Sequence, residues 1–127
     1  MHKEDEYRVF MQNKNRRCEE MECHYEVKET DLTVYVPKEL DHHVAKKIQE
    51  DVDLMIDMYS IRCVIFDFSA TDFMDSSGIG VLLGRCRKLK FTGGEVVAVN
   101  LKSKRVQKIF SMSGLHQFIR VEEEGVD

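Results

Sequence analysis

Asp75-Ser76-Ser77-Gly78 sets two adjacent hydroxyls between an acidic residue and a glycine, immediately before an amphipathic stretch. Asp and Ser are strong helix caps, so Ser76 and Ser77 fall in the first turn of a helix. There the backbone N–H groups lack partners and the helix dipole is positive, so an anion is tolerated. A phosphate on either hydroxyl would add about −1.5 to −2 charges to an exposed helix start without melting it. The same four residues also read simply as a cap, with Gly78 and Gly80 permitting close packing. Nucleophilic hydrolysis is a third use of a serine. Ser76 is not set in Gly-x-Ser-x-Gly, however, and no base adjoins it. His42-His43 and His116 would have to be brought to it by the fold. No Gly-x-x-x-x-Gly-Lys-[Ser/Thr] loop is present. Cys18, Cys23 and His24 lie close together but match no zinc spacing, so no metal or other cofactor is expected.

The elements that must position these residues are legible from periodicity. Cys23, Tyr25 and Val27 alternate with polar residues, as do Leu32, Val34 and Val36 across Glu29-Thr30-Asp31. Residues 22–36 therefore read as a β-hairpin, ended by Pro37. Asp41 caps a helix whose apolar stripe is Val44, Ile48, Val52, Met55, Ile56 and Tyr59. Arg62–Phe68 is a strand apolar on both faces, as in the middle of a sheet. After Asp75 a second helix runs along Ile79, Leu82, Leu83, Cys86 and Leu89, and Gly93-Gly94 ends it. Residues 95–99 form another buried strand. Ser103 caps a short helix with Val106, Ile109, Phe110 and Met112 on its apolar face. Gly114 breaks that helix, and Phe118–Val121 is the last strand. The order β-β-α-β-α-β-α-β predicts an α/β fold: a mixed sheet with an antiparallel hairpin and parallel β-α-β crossovers. Ile65, Leu82, Val97 and Ile109 are expected in the core. Residues 1–20 are expected to be a flexible extension, and 21–127 the domain.

Composition agrees. The chain has 127 residues, 43% hydrophobic and 33% charged, which suits one soluble domain. Its longest apolar runs are four residues, Cys63–Phe66 and Val96–Val99, against about 20 for a membrane span. The charged first residues predict no secretory leader and a cytoplasmic compartment, where the cysteines stay reduced. The net charge of −4 hides an uneven distribution. Residues 76–110 carry Arg85, Arg87, Lys88, Lys90, Lys102, Lys104, Arg105 and Lys108 against Glu95 alone. Solvated helix faces account for such a pattern, and so does a surface for an acidic protein partner. Only Phe91 lies among these cations, too little for base stacking, so no direct nucleic-acid binding is expected, and the short apolar runs predict no membrane partner.

Phe73-Met74-Asp75-Ser76-Ser77-Gly78-Ile79-Gly80-Val81-Leu82-Leu83-Gly84-Arg85 resembles the signature of STAS-domain anti-anti-sigma factors, also called anti-sigma factor antagonists. Glu39-Leu40-Asp41-His42-His43 resembles the loop before that family's first helix, and Met112-Ser113-Gly114-Leu115 its turn before the last strand. Together the segments are similar to the anti-sigma F factor antagonists of spore-forming bacteria, over residues 21–122. The resemblance implies a STAS-like mixed sheet with helices mainly on one side, and a non-enzymatic binding module. It implies that the unphosphorylated protein binds an anti-sigma factor that is also an ATP-binding serine kinase, releasing the sigma factor. The kinase then phosphorylates Ser76, binding ends, and a serine phosphatase resets the switch. Asp75 would position the acceptor loop, and Ser77 would be its neighbour. The expected partner surface is Glu39, Asp41 and His42, then Asp75, Ser76, Ser77, Gly78 and Ile79, and the exposed helix face near Arg85. A STAS domain acting as a sensor or scaffold without a sigma factor is the alternative. Three departures stand out: the N-terminal extension, Pro37-Lys38 where relatives often have glycine, and little chain after Val121 for a final helix.

Overall fold

The computed structural model describes residues 8–11 and 23–122. Strands β2 (His24–Lys28) and β3 (Asp31–Tyr35) form the expected hairpin, with Val27 opposite Leu32 and Tyr25 opposite Val34. Its turn is two residues long, and Glu29 takes the left-handed conformation at φ 57°. Along both strands Tyr25, Val27, Leu32 and Val34 are buried and their neighbours are not. In this hairpin one face is therefore buried and the other is more open. β1 (Arg8–Met11), from the segment expected to be an extension, pairs antiparallel with β2 as an edge strand. The remainder of residues 1–20 lies outside the described residues.

β4 (Glu39–Leu40) leads into α1 (His42–Tyr59), which buries Val44, Ile48, Val52, Met55 and Ile56 at three- and four-residue steps. Its chain end is left-handed at Ser60, whose N–H returns to the Ile56 carbonyl. β5 (Cys63–Asp67) follows, parallel to β3 with Thr33 beside Ile65. β6 (Phe73–Met74) and α2 (Ser76–Lys90) come next, then β7 (Glu95–Val99), parallel to β5 with Ile65 beside Val97. Gly94 makes the α2–β7 turn possible: a Cβ there would collide with the Arg62 carbonyl oxygen. α3 (Lys104–Ser113) starts at Ser103, whose hydroxyl accepts from the Val106 N–H, and ends at left-handed Gly114. A 3-10 turn at Leu115–Gln117 precedes β8 (Arg120–Glu122), parallel to β7. The sheet order is β1-β2-β3-β5-β7-β8, with β4 and β6 as a separate two-strand pair. The α/β fold with a mixed sheet and helices on one side is as the sequence predicts.

Four details differ. Ile65 lies on the helix-free face and is half-buried, while Val64 and Phe66 point into the core. Ile109 is half-buried at the flank of α3, whose inward residues are Val106 and Phe110. Met112 is 75% exposed, because it lies about 200° around α3 from Phe110 and so points away from the core. Phe118 is 63% exposed, since the 3-10 turn takes up the residues before it and the last strand begins at Arg120. Leu82 and Val97 are buried as expected. Among the described residues no helix is long and apolar enough to cross a membrane.

Candidate functional site

The loops around Ser76 are organised by two helix starts held side by side. β4 and β6 pair in parallel, Glu39 beside Phe73 and Leu40 beside Met74. The Asp75 N–H extends the pairing to the Leu40 carbonyl at 3.2 Å. Each two-residue strand leads to an aspartate in extended conformation that caps the next helix. Asp41 Oδ1 accepts from the His43 N–H at 3.0 Å and the Val44 N–H at 3.1 Å. Asp75 Oδ1 accepts from the Ser77 N–H at 2.8 Å. Leu40 and Met74 are the buried pins beneath the two caps. Gly78 packs against them so closely that a Cβ would meet Met74 Cγ at 2.7 Å and Leu40 Cδ2 at 2.9 Å. Gly80 has open space around it and plays no such part.

The structure thus brings Glu39, Asp41 and His42 together with Asp75, Ser76, Ser77, Gly78 and Ile79 on one edge of the molecule, beyond the carboxyl ends of the parallel strands. Glu39, His42, His43 and Ser76 are exposed, whereas Ser77 and Ile79 are half-buried. The Ser76 hydroxyl has no hydrogen-bond partner among the described residues, while the Ser77 N–H is held by the cap. The His42 and His43 rings lie 4.0 Å apart, and no hydrogen bond joins either to Ser76. His116 is remote from Ser76: it lines a cleft of about 550 Å³ with Arg87 and Lys90, near the far end of α2. That helix is 15 residues long, which puts its ends about 21 Å apart.

Arg85 does not belong to this surface. It is 7% exposed, and its Nε lies 2.9 Å from Asp53 Oδ1 on α1. The two atoms face each other without the alignment of a hydrogen bond, so the contact is Coulombic. Burial lowers the guanidinium pKa and Asp53 opposes that shift. The expectation of an exposed Arg85 fails because it shares the helix face of Leu82 and Leu89. Lys88 and Asp57 make a second, more open pair at 3.5 Å along the same seam. Asp53→Ala is expected to destabilise the fold by about 1–3 kcal/mol, because it strands a buried cation. Asp53→Ala/Arg85→Met should recover most of that loss in urea unfolding. Loss of less than about 0.5 kcal/mol in the single variant would place the pair among surface ion pairs.

One residue of the site escaped sequence reasoning. Phe73, 36% exposed, is a large apolar side chain two residues before the Asp75 cap. The signal was the strand period, since Met74 points inward and its neighbour must point out.

Burial pushes the Cys63 thiol up to about 11 and also raises that of Cys86. Cys18 lies outside the described residues.

The STAS domain family matches residues 22–125. The chain is 34% identical over 91 residues to the anti-sigma F factor antagonist of Lysinibacillus sphaericus, covering 70% of this chain and 77% of that one. Its fold matches the anti-sigma factor antagonist SpoIIAA in its unphosphorylated form, with TM-score 0.68, 27% identity and coverage of 91% and 87%. It matches the phosphorylated form of the Bacillus cell fate determinant SpoIIAA with TM-score 0.60, 26% identity and coverage of 91% and 90%. From the paired helix caps to the whole-domain match, the chain belongs to the STAS-domain family of anti-sigma factor antagonists.

Proposed function

We propose that this protein is switched by phosphorylation of Ser76 between a form that binds an anti-sigma factor and one that does not. The carrying observation is the exposed, unbonded Ser76 hydroxyl at the start of α2, flanked by the second helix start at Asp41-His42. The existence of SpoIIAA in unphosphorylated and phosphorylated forms supports a switch of this kind. The partner is a serine kinase that uses ATP. The Ser76 oxygen attacks the terminal phosphorus of ATP, and an O–P bond forms. The bond to ADP breaks, and the hydroxyl proton passes to a base on the kinase. A phosphatase returns the serine, water taking the phosphate. In this cycle the chain is ligand and substrate, and the ATP belongs to the kinase.

The docking surface comprises Glu39, Asp41, His42, Phe73, Ser76 and Ile79, with Asp75, Ser77 and Gly78 shaping it from below. Arg85 serves the α1–α2 seam instead.

The test is to use unmodified protein and Ser76→Asp as baits in extract of the source cell. Unmodified protein should recover a small ATP-binding kinase that the Ser76→Asp bait does not. Recovery of no kinase by the unmodified bait would defeat the reading.

A further inference from the structure

The basic start of α3 is not absorbed by the fold. Lys102, Lys104, Arg105 and Lys108 are all exposed, and none has an ion-pair partner among the described residues. They surround the N-terminal turn of α3, which carries no acidic residue. Cations there oppose the helix dipole as well as one another. The contrast is with α2, whose Arg87, Lys88 and Lys90 occupy the last turn, where the dipole favours them. A charge pattern that works against its own helix, in a chain of net charge −4, calls for an external counterpart.

The location says which counterpart. α3 begins just beyond the carboxyl end of β7, at the same edge of the sheet as Ser76. It packs against β6, and Ser76 lies two residues after that strand. Phe110 meets Phe68 edge-on, ring centres 5.6 Å apart, fixing the helix to the end of β5. We infer that the basic face of α3 is a second part of the docking surface used at Ser76, and that it takes an acidic patch on the same protein partner. This rests on the reading of Ser76 given above. No aromatic residue interleaves with the four cations, which disfavours a single-stranded nucleic acid. The placement also gives the phosphate a second effect: about two negative charges on Ser76 weaken the positive field that draws the partner in.

The experiment measures association of the kinase with wild-type protein and with Lys104→Glu/Arg105→Glu/Lys108→Glu. Glutamate suits a helix N-terminus, so the variant should keep the wild-type circular dichroism and melt no lower than wild type. Its association rate should fall by about tenfold or more at roughly 50 mM salt, and the difference should shrink near 0.5 M. Arg87→Glu/Lys90→Glu, at the opposite end of α2, should associate as wild type does. Equal rates and equal salt dependence for the triple variant and wild type would overturn the inference and leave the Ser76 reading intact. If wild type itself binds no kinase, the Ser76 reading falls and this inference with it. Binding of a random single-stranded oligonucleotide by wild type, lost in the triple variant, would overturn it in favour of nucleic acid.

Discussion

Phosphorylation of Ser76 will weaken binding to the kinase partner by at least about a hundredfold, which is about 2.7 kcal/mol. The exposed hydroxyl at the start of α2 is what allows this change without unfolding. In the free protein a phosphate there stays in water and sits at the favourable end of the helix dipole. In the complex it adds bulk and charge to the surface that must approach the kinase's ATP, already dense in negative charge. Loss of hydration without a compensating cation costs more than the required energy. Ser76→Ala should bind continuously and keep the sigma factor active. Ser76→Asp should bind weakly, and Ser77→Ala should bind and still accept phosphate. Isothermal titration of each form against the kinase checks these outcomes. Phosphorylated and unmodified wild type binding with equal affinity would sink the switch.

Leu82→Ala is expected to cost about 2–5 kcal/mol of stability, and Ile65→Ala clearly less, about 1–2 kcal/mol. Leu82 is fully buried where α2 meets the sheet, so truncation leaves a cavity that rigid neighbours cannot fill. Ile65 is only half-buried, on the helix-free side of the sheet between Thr33 and Val97, so water and side-chain movement accommodate its loss better. Denaturant unfolding of the two variants decides the matter. Equal losses would mean that the sheet is covered on both faces.

That comparison also shows where sequence reading reaches its limit. Alternation in β2 and β3 and the stripe in α1 carried enough signal to place those three elements. The β5 run Cys63–Phe66 is apolar at every position, so its pattern contains no information about which face is covered. The helices decide that, through packing. Arg85 shares its helical face with Leu82 and Leu89, and the phase pointed inward. Its counter-charge, Asp53, lies 32 positions earlier and meets it only after α1 and α2 dock. The two loops of the site are likewise 30-odd residues apart in sequence. A resemblance to known proteins linked them, whereas the β4–β6 pairing that joins them is two residues long and too short to leave a period. Met112 is expected on the apolar face of α3, and Phe118 in the last strand. Met112 lies about 200° around the helix from Phe110 and points outward, and the 3-10 turn keeps Phe118 out of the strand.

The proposed switch rests on one hydroxyl, that of Ser76. The most direct measurement is to incubate wild type, Ser76→Ala and Ser77→Ala with the kinase and ATP and to map the phosphate by mass spectrometry. One phosphate is expected on Ser76 in wild type and in Ser77→Ala, and none in Ser76→Ala. Phosphate in the same peptide of Ser76→Ala, or its loss in Ser77→Ala with Ser76 intact, would contradict it and move the switch to Ser77.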